Sequence, residues 1–147
     1  MKLVDAEKLA WNLMLEHGLS DWNFQFDNAF RRAGYCDYRR KTISLSRNYV
    51  LINDEKFAKQ TMLHEIAHAL SPVGVHHGRQ WVLKAKSIGC DGLRLVGGDT
   101  VSPIGKMYVG ECPGCHRITE RRRRLDLSCS KCDSVYNPKY KFNWRLK

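Results

Sequence analysis

The chain has 147 residues, of which 43% are hydrophobic, and it carries a formal net charge of +10. This length suits one ordinary domain or one small domain with an appendage, and we expect a monomer. No apolar run approaches the ~18 residues that a membrane span requires. Residues 1–7 contain early acids and no long apolar core, unlike a secretory signal, which predicts a cytoplasmic protein, nucleoid-associated or, in a eukaryote, nuclear.

The positive charge is concentrated in the last third of the chain. Residues 105–147 contain 11 Lys or Arg and 4 Asp or Glu, a net charge of +7, whereas residues 1–104 contain 14 and 11, a net charge of +3. A basic module favours binding to a polyanion, and we expect DNA rather than RNA. The alternative is a basic surface that only keeps the protein in solution.

The first third of the chain predicts one helix and two short strands. Apolar residues recur at helical spacing over residues 3–17, and Gly18 suits the end of that helix. Over residues 22–27 aromatic and polar residues alternate, which is typical of a strand with one buried face. Residues 28–34 are basic and turn-like, and residues 42–46 alternate again as a second strand.

Two further helices are predicted in the middle of the chain. Asn53 or Asp54 can cap a helix that runs to about Leu70, because residues 71–74 read Ser-Pro-Val-Gly and stop it. Residues 78–88 should form another helix that ends before a glycine.

The remaining residues predict a second, smaller unit. Residues 89–105 are rich in Gly, Asp, Ser and Pro and form the predicted connection, followed by short strands around Tyr108 and Leu125. We therefore predict an α+β chain: a domain over residues 1–98 with helices packed on a small sheet, and a small zinc ribbon over residues 105–147.

The most informative motif is His64-Glu65-Ile66-Ala67-His68. Residues four apart share a helix face, so His64 and His68 can hold one metal ion, and Glu65 lies beside them as a candidate acid/base. A third protein ligand would leave the fourth tetrahedral position open, which distinguishes a catalytic zinc site from a structural one. The motif therefore predicts a catalytic Zn²⁺ that supports peptide hydrolysis.

The third ligand is less constrained than the first two. We favour His77, because Gly78 and the following helix would fix its direction. Alternatives remain open at four other positions: His76, Asp91, Asp99 and Cys90.

A second metal motif follows in the basic module. Two Cys-x-x-Cys pairs 13 residues apart predict a closed, structural Zn²⁺ site with four thiolate ligands, namely Cys112, Cys115, Cys129 and Cys132. In a reducing compartment such pairs bind metal more often than they form disulfides. Cys36 and Cys90 are interpreted as small buried thiols.

Basic and aromatic residues interleave around the second cysteine pair. Basic side chains bind phosphates and aromatic rings stack on exposed bases, so this pattern favours nucleic-acid contact. The candidate contacts are Arg121, Arg122, Arg123, Arg124, Lys139 and Lys141. A solvated strand with aromatics that cover the ribbon is the alternative.

Five separated segments of the chain together resemble the SprT-like domain. They are residues 22–27 (WNFQFD), 31–36 (RRAGYC), 43–46 (ISLS), 61–70 (TMLHEIAHAL) and 77–81 (HGRQW), and the resemblance covers roughly residues 5–90. The family includes the Spartan proteases, which act on proteins crosslinked to DNA, and a zinc ribbon is a frequent companion.

The resemblance implies a zincin-like metalloprotease fold. It also implies that His64, His68 and His77 are zinc ligands and that Glu65 is the acid/base. Residues 31–34 would shape a turn, with a positive φ at Gly34, and a DNA contact by the arginines of this segment is the alternative.

These patterns predict a zinc metalloendopeptidase that cleaves protein substrates bound or crosslinked to DNA and is recruited by its basic ribbon. The alternative is a nucleic-acid-binding zinc adaptor or transcription-related factor without peptidase activity. That alternative requires a fourth protein ligand on the first metal, most plausibly Asp91 or Cys90.

Overall fold

The computed structural model describes residues 1–95, 101–103 and 105–147. The chain divides into two compact units, Met1–Pro103 and Ile104–Lys147. Within the described ranges, every helix is too short or too polar to cross a bilayer.

The first unit combines helices with a small sheet, which confirms the predicted α+β class. Its helices are α1 (Leu3–Glu16), α2 (Arg47–Ile52), α3 (Glu55–Ala69) and α4 (Arg79–Ser87). Its strands are β1 (Asn23–Asp27), β2 (Gly34–Asp37) and β3 (Thr42–Ser46).

The sheet has the strand order β1-β3-β2, so β3 is central and the other two strands are edges. β1 runs parallel to β3, with Phe24 opposite Ile43 and Phe26 opposite Leu45. β2 runs antiparallel to β3, with Gly34 opposite Leu45. Ile43 and Leu45 are fully buried, so the central strand forms part of the core.

Helix α3 is the most buried helix of the first unit. The Asp54 carboxylate caps its N-terminus by accepting a hydrogen bond from the Phe57 amide at 2.9 Å. Apolar residues on several faces are buried, among them Ala58, Met62 and Ile66, each with no exposed surface. Because α3 contacts α1, α4 and the sheet, its side chains are fixed by packing on most sides.

Helix α1 covers one side of α3 with an amphipathic face. Its buried residues are Ala6, Ala10, Leu13 and Met14, which follow the i, i+4, i+7, i+8 spacing of one helix face. The two alanines leave room for close approach of the neighbouring helix.

The second unit is a three-stranded antiparallel sheet in which residues 122–142, including a 3-10 helix at Pro138–Tyr140, connect the last two strands. Its strands are β4 (Tyr108–Glu111), β5 (Ile118–Arg121) and β6 (Asn143–Leu146), in the order β5-β4-β6. Its core is small: Cys112, Cys129 and Phe142 are buried, with Tyr140 and Trp144 packed against them. A unit with so few buried side chains needs another source of stability.

The structure corrects several predicted elements. Residue 34, predicted as the end of a turn-like segment, instead begins edge strand β2, which was not predicted. Helix α2, which begins directly after β3, was not predicted either. Leu125 lies outside any strand, and the strands of the second unit are instead at residues 118–121 and 143–146. The cap of α3 is Asp54, one of the two residues predicted.

Candidate metal centres

Helix α3 presents His64, Glu65 and His68 in its last two turns. The histidines are four residues apart and so lie on one face of the helix. The Tyr38 hydroxyl donates a 2.9 Å hydrogen bond to the His68 carbonyl oxygen, which ties the end of α3 to the segment after β2. The sheet and the helix therefore hold the motif jointly.

A tight turn brings His77 back to the same face. The turn uses positive φ angles at Gly74 (92°) and at His76 (48°). The Gly78 amide donates to the Val75 carbonyl oxygen at 2.9 Å, and a Cβ at position 78 would lie 2.9 Å from that same oxygen. Glycine at position 78 is therefore required for the turn that places His77.

The three histidine side chains converge on one point. The Nε2 atom of His77 lies 2.9 Å from Nε2 of His64 and 3.1 Å from Nε2 of His68. Among the residues described, His64, His68 and His77 form a three-ligand group, and His76, Cys90 and Asp91 lie outside it. Asp99, the fourth alternative, lies outside the described residues.

The indole of Trp81 packs against all three rings. Its ring centroid lies 4.6 Å from those of His64 and His77 and 5.2 Å from that of His68. Trp81 is fully buried, and its Nε1 has no hydrogen-bond partner within the described ranges. Its role at this position is therefore packing, which limits the rotation of the three imidazoles.

Burial keeps the three imidazoles neutral. Burial first, and then the neighbouring imidazoles, lower the pKa of His64 and of His68 to about 4. The pKa of His77 is also lowered, first by burial and then by the charge of Arg94. Neutral imidazole nitrogens that face one another are ligands suited to Zn²⁺, so the donor set fits a zinc ion with one open position.

Glu65 lies beside the histidines and is almost completely buried, with 7% of its surface exposed. The pKa of its carboxyl is raised to about 8. Burial is the main cause, the charge of Arg32 lowers the pKa, and the charge of Asp27 raises it. Arg32 is in turn paired with Asp27 at 3.0 Å. Gly34 lies against the Glu65 side chain without a positive φ, so the predicted reason for glycine at this position is wrong.

The site opens into a cleft of about 780 Å³ within the first unit. Besides the histidines and Glu65, its lining includes cationic side chains from two segments, Arg31, Arg32 and Arg94, and exposed apolar ones, Tyr35, Val73 and Leu95. The sequence predicts no role in the site for Arg94, and Trp81 enters only as the last residue of the matched segment 77–81, because the approach of both side chains to the site depends on the tertiary fold.

The two cysteines outside the Cys-x-x-Cys pairs are buried and free, as predicted. Burial, then the nearby charges of Glu65 and Asp37, raise the pKa of Cys36 to about 12. Its thiol therefore stays protonated at neutral pH, although it lines the cleft. Burial likewise raises the pKa of Cys90.

The four paired cysteines form a second group in the ribbon unit. The Sγ atoms of Cys112 and Cys132 are 3.7 Å apart, and those of Cys115 and Cys129 are 3.6 Å apart. All four sulfurs lie within 4.8 Å of one another. Four thiol ligands at this spacing fit a tetrahedral Zn²⁺ with no open position, as in a zinc ribbon.

The predicted nucleic-acid residues differ in their surroundings. Lys141 is paired with Asp126 at 2.9 Å, and the guanidinium of Arg124 lies 5.1 Å from the centre of the Tyr108 ring. Lys139 similarly lies over Tyr140 at 5.7 Å. The exposed residues Arg121, Arg122 and Arg123 have no salt bridge to any residue that the structure describes.

An α+β unit that carries a histidine triad and an adjacent buried glutamate on one helix has the arrangement of a metallopeptidase-like domain. The sequence model of the SprT-like family matches residues 7–99, which is more than half of the chain. The chain belongs to the SprT-like family. No match was found among curated proteins or among solved structures.

Proposed function

We propose that this chain is a zinc-dependent endopeptidase that cleaves proteins bound or crosslinked to DNA, and that its basic ribbon recruits it there. One observation carries the peptidase part: three neutral imidazoles converge beside the buried carboxyl of Glu65 on the wall of a cleft. The DNA part is supported by the +7 charge of residues 105–147.

The residues divide the chemistry between them. His64, His68 and His77 would hold one zinc ion, which when bound supplies a Lewis acid that polarises the peptide carbonyl and acidifies water. In its ionised form, which the charge of Arg32 favours, Glu65 accepts a proton from water and returns it to the leaving amine. Because only 7% of Glu65 is exposed, its carboxyl is largely shielded from bulk solvent during both transfers.

The peptidase part is tested with the variant Glu65→Gln, which keeps the shape of the side chain. We expect peptide cleavage to fall at least ~10²-fold, the range typical of lost general acid–base catalysis, with zinc content and fold unchanged. Glu16→Gln is the matched control, since Glu16 is exposed at the end of α1. If zinc-loaded wild type cleaves nothing, the adaptor function is favoured instead.

The recruitment part depends on exposed arginines of the ribbon. Arg122 and Arg123 are exposed and have no salt bridge within the described part of the chain, whereas Lys141 is paired with Asp126. An unpaired guanidinium can neutralise a phosphate without first losing a protein partner. We therefore propose Arg122 and Arg123 as the main phosphate contacts.

A filter-binding salt titration tests recruitment. Wild-type affinity for DNA should fall steeply with salt, and the double variant Arg122→Gln/Arg123→Gln should reduce the log–log slope by roughly two, about one for each lost contact. Lys141→Gln is the control and should change the slope less. Wild-type affinity that stays flat from low to physiological salt would refute the phosphate contacts.

A further inference from the structure

The charged side chains of the cleft are almost all of one sign. Among the residues that line it, Arg31, Arg32 and Arg94 are cationic and Glu65 is the one carboxyl group within the ranges that the structure describes. Glu65 is nearly buried, so it presents little of its carboxyl to a molecule in the cleft. A bound chain segment therefore meets a positive surface.

The three arginines are not equivalent. Arg32 forms an ion pair with Asp27 at 3.0 Å, and its guanidinium lies 4.7 Å from the centre of the Tyr35 ring. Its charge is thus partly compensated and its side chain is held in place. Arg31 and Arg94 are exposed and have no salt bridge to the part of the chain that the structure describes. These two are the arginines most able to contact a ligand.

The arginines line the same cleft as the histidines and Glu65. Arg31 and Arg32 are neighbours in the chain, whereas Arg94 belongs to a different segment. Cationic groups from two segments of the chain therefore line the cleft that holds the site. A side chain a few residues from the bond being cut would come within their range.

We infer that the cleft selects protein segments with Asp or Glu close to the bond that is cut, and that Arg31 and Arg94 are the specificity-determining residues. This inference rests on the proposed peptidase function. It favours peptide over nucleic acid as the ligand of these arginines because they line the cleft that would hold the peptide. Segments rich in Lys or Arg are disfavoured, since like charges repel at close range.

The test uses three peptides of equal length that differ only in the residues flanking the central apolar pair: Glu, Gln or Lys. Wild type should cleave the Glu peptide best and the Lys peptide worst. Arg31→Gln and Arg94→Gln should each lower kcat/KM for the Glu peptide about two- to fivefold, the range of exposed ion pairs, mainly through KM. Each should change cleavage of the Gln peptide less than cleavage of the Glu peptide.

Arg40→Gln is the matched control, because Arg40 is exposed and lies outside the cleft lining. Higher salt should reduce the preference for the Glu peptide in wild type. Equal cleavage of all three peptides by wild type, or arginine variants that behave like the control, would overturn the inference.

Binding to the Glu65→Gln variant separates this inference from the proposed reaction. Fluorescence anisotropy should show tighter binding of the Glu peptide than of the Lys peptide, and loss of that difference on adding Arg31→Gln. If the peptides bind in this way but wild type cleaves none of them, the cleft selects acidic segments and the proposed peptidase function is refuted. If a single-stranded oligonucleotide displaces the Gln peptide, and Arg31→Gln abolishes the displacement, the arginines bind phosphate and the inference is overturned.

Discussion

Gly34 and Glu65 meet across the wall of the cleft with no room for a side chain between them. A Cβ atom at position 34 would lie 2.9 Å from both Cγ and Oε1 of Glu65, and 3.0 Å from Cγ2 of Thr61. Ordinary carbon contacts begin at about 3.4 Å. The edge strand β2 therefore reaches the buried carboxyl only because residue 34 is glycine.

The variant Gly34→Ala should impair catalysis more than folding. A new methyl group would press on Cγ and Oε1 of Glu65 and on Cγ2 of Thr61, all of them side-chain atoms, so we expect the Glu65 side chain to be displaced. Since a displacement of about 1 Å in a reacting group can cost ~10²-fold, we expect kcat to fall roughly 10- to 100-fold with little change in KM. Steady-state kinetics, zinc content and Tm measure the three effects separately.

Thr61→Ser supplies the control, because it removes the Cγ2 atom and keeps the hydroxyl that donates to the Phe57 carbonyl oxygen. The double variant Gly34→Ala/Thr61→Ser should stay impaired if the contact with Glu65 is responsible. Full recovery would assign the effect to Thr61, and a wild-type kcat in Gly34→Ala would contradict the positioning of the carboxyl by β2.

The two metal groups predict a definite stoichiometry. Wild type should bind two zinc ions per chain, and His77→Ala should bind about one, because two imidazoles without the third hold zinc weakly. His76→Ala is the matched control and should still bind two, since His76 lies outside the three-histidine group. Elemental analysis after dialysis gives the counts, and two ions in His77→Ala would show that another ligand completes the site.

Without metal, the first unit should lose stability as the pH falls. Folding lowers the pKa of His64 and His68 from 6.5 to about 4. Between these values the unfolded chain binds more protons than the folded one, so acid favours unfolding. The contribution of these two histidines should therefore be complete above pH ~6.5 and decline towards pH ~4. Glu65 contributes in the opposite direction, because its pKa is raised from 4.5 to about 8 on folding and its contribution is lost as the pH rises towards 8.

Urea unfolding of the chelated protein at several pH values measures this decline. The double variant His64→Asn/His68→Asn should show a shallower dependence, because it lacks the two groups that titrate. An unchanged dependence in that variant would assign the acid sensitivity to other residues.

The ribbon should be sensitive to a methyl group at position 110. A Cβ there would lie 2.8 Å from Cε3 and Cζ3 of Trp144, a rigid ring whose Nε1 donates to the Leu125 carbonyl oxygen at 2.9 Å. Since the ring cannot fold away, Gly110→Ala should destabilise the ribbon by about 1–3 kcal/mol. Chelator competition reports this as weaker zinc binding, because zinc binding and folding are coupled in such units.

The background Trp144→Leu identifies the cause, because leucine is smaller and flexible. Gly110→Ala should cost less there than in wild type. An equal cost in both backgrounds would place the clash elsewhere.

The sequence was sufficient for the features that depend on local spacing. The i, i+4 pair of histidines, the cap of α3, the stops of α1, α3 and α4, and each of the two Cys-x-x-Cys pairs are contained in fewer than twenty residues. Helix geometry and turn chemistry act over that range, so these predictions needed no knowledge of the tertiary fold.

Features that depend on pairing between distant segments were not predicted. Strand β2 has only four residues and follows a basic stretch, so its own sequence gives little indication of a strand. Its pairing with β3 defines it as one. The contact between Gly34 and Glu65 spans 31 positions in the chain, and the approach of Arg94 to His77 spans a whole helix. A local sequence pattern does not predict contacts between residues so far apart in the chain. Helix α2 was not predicted for a different reason: it begins directly after β3, without a linker.

The indole of Trp81, enclosed against all three imidazoles, gives the protein an intrinsic optical probe. The indole contacts all three imidazoles, whose charge or ligand state would change when an ion binds or when the pH falls. Emission from this one tryptophan, isolated by comparison with a Trp81→Phe variant, thus reads out occupancy without an added dye. Titrations in cell extract or in a stopped-flow instrument become possible with the unlabelled chain.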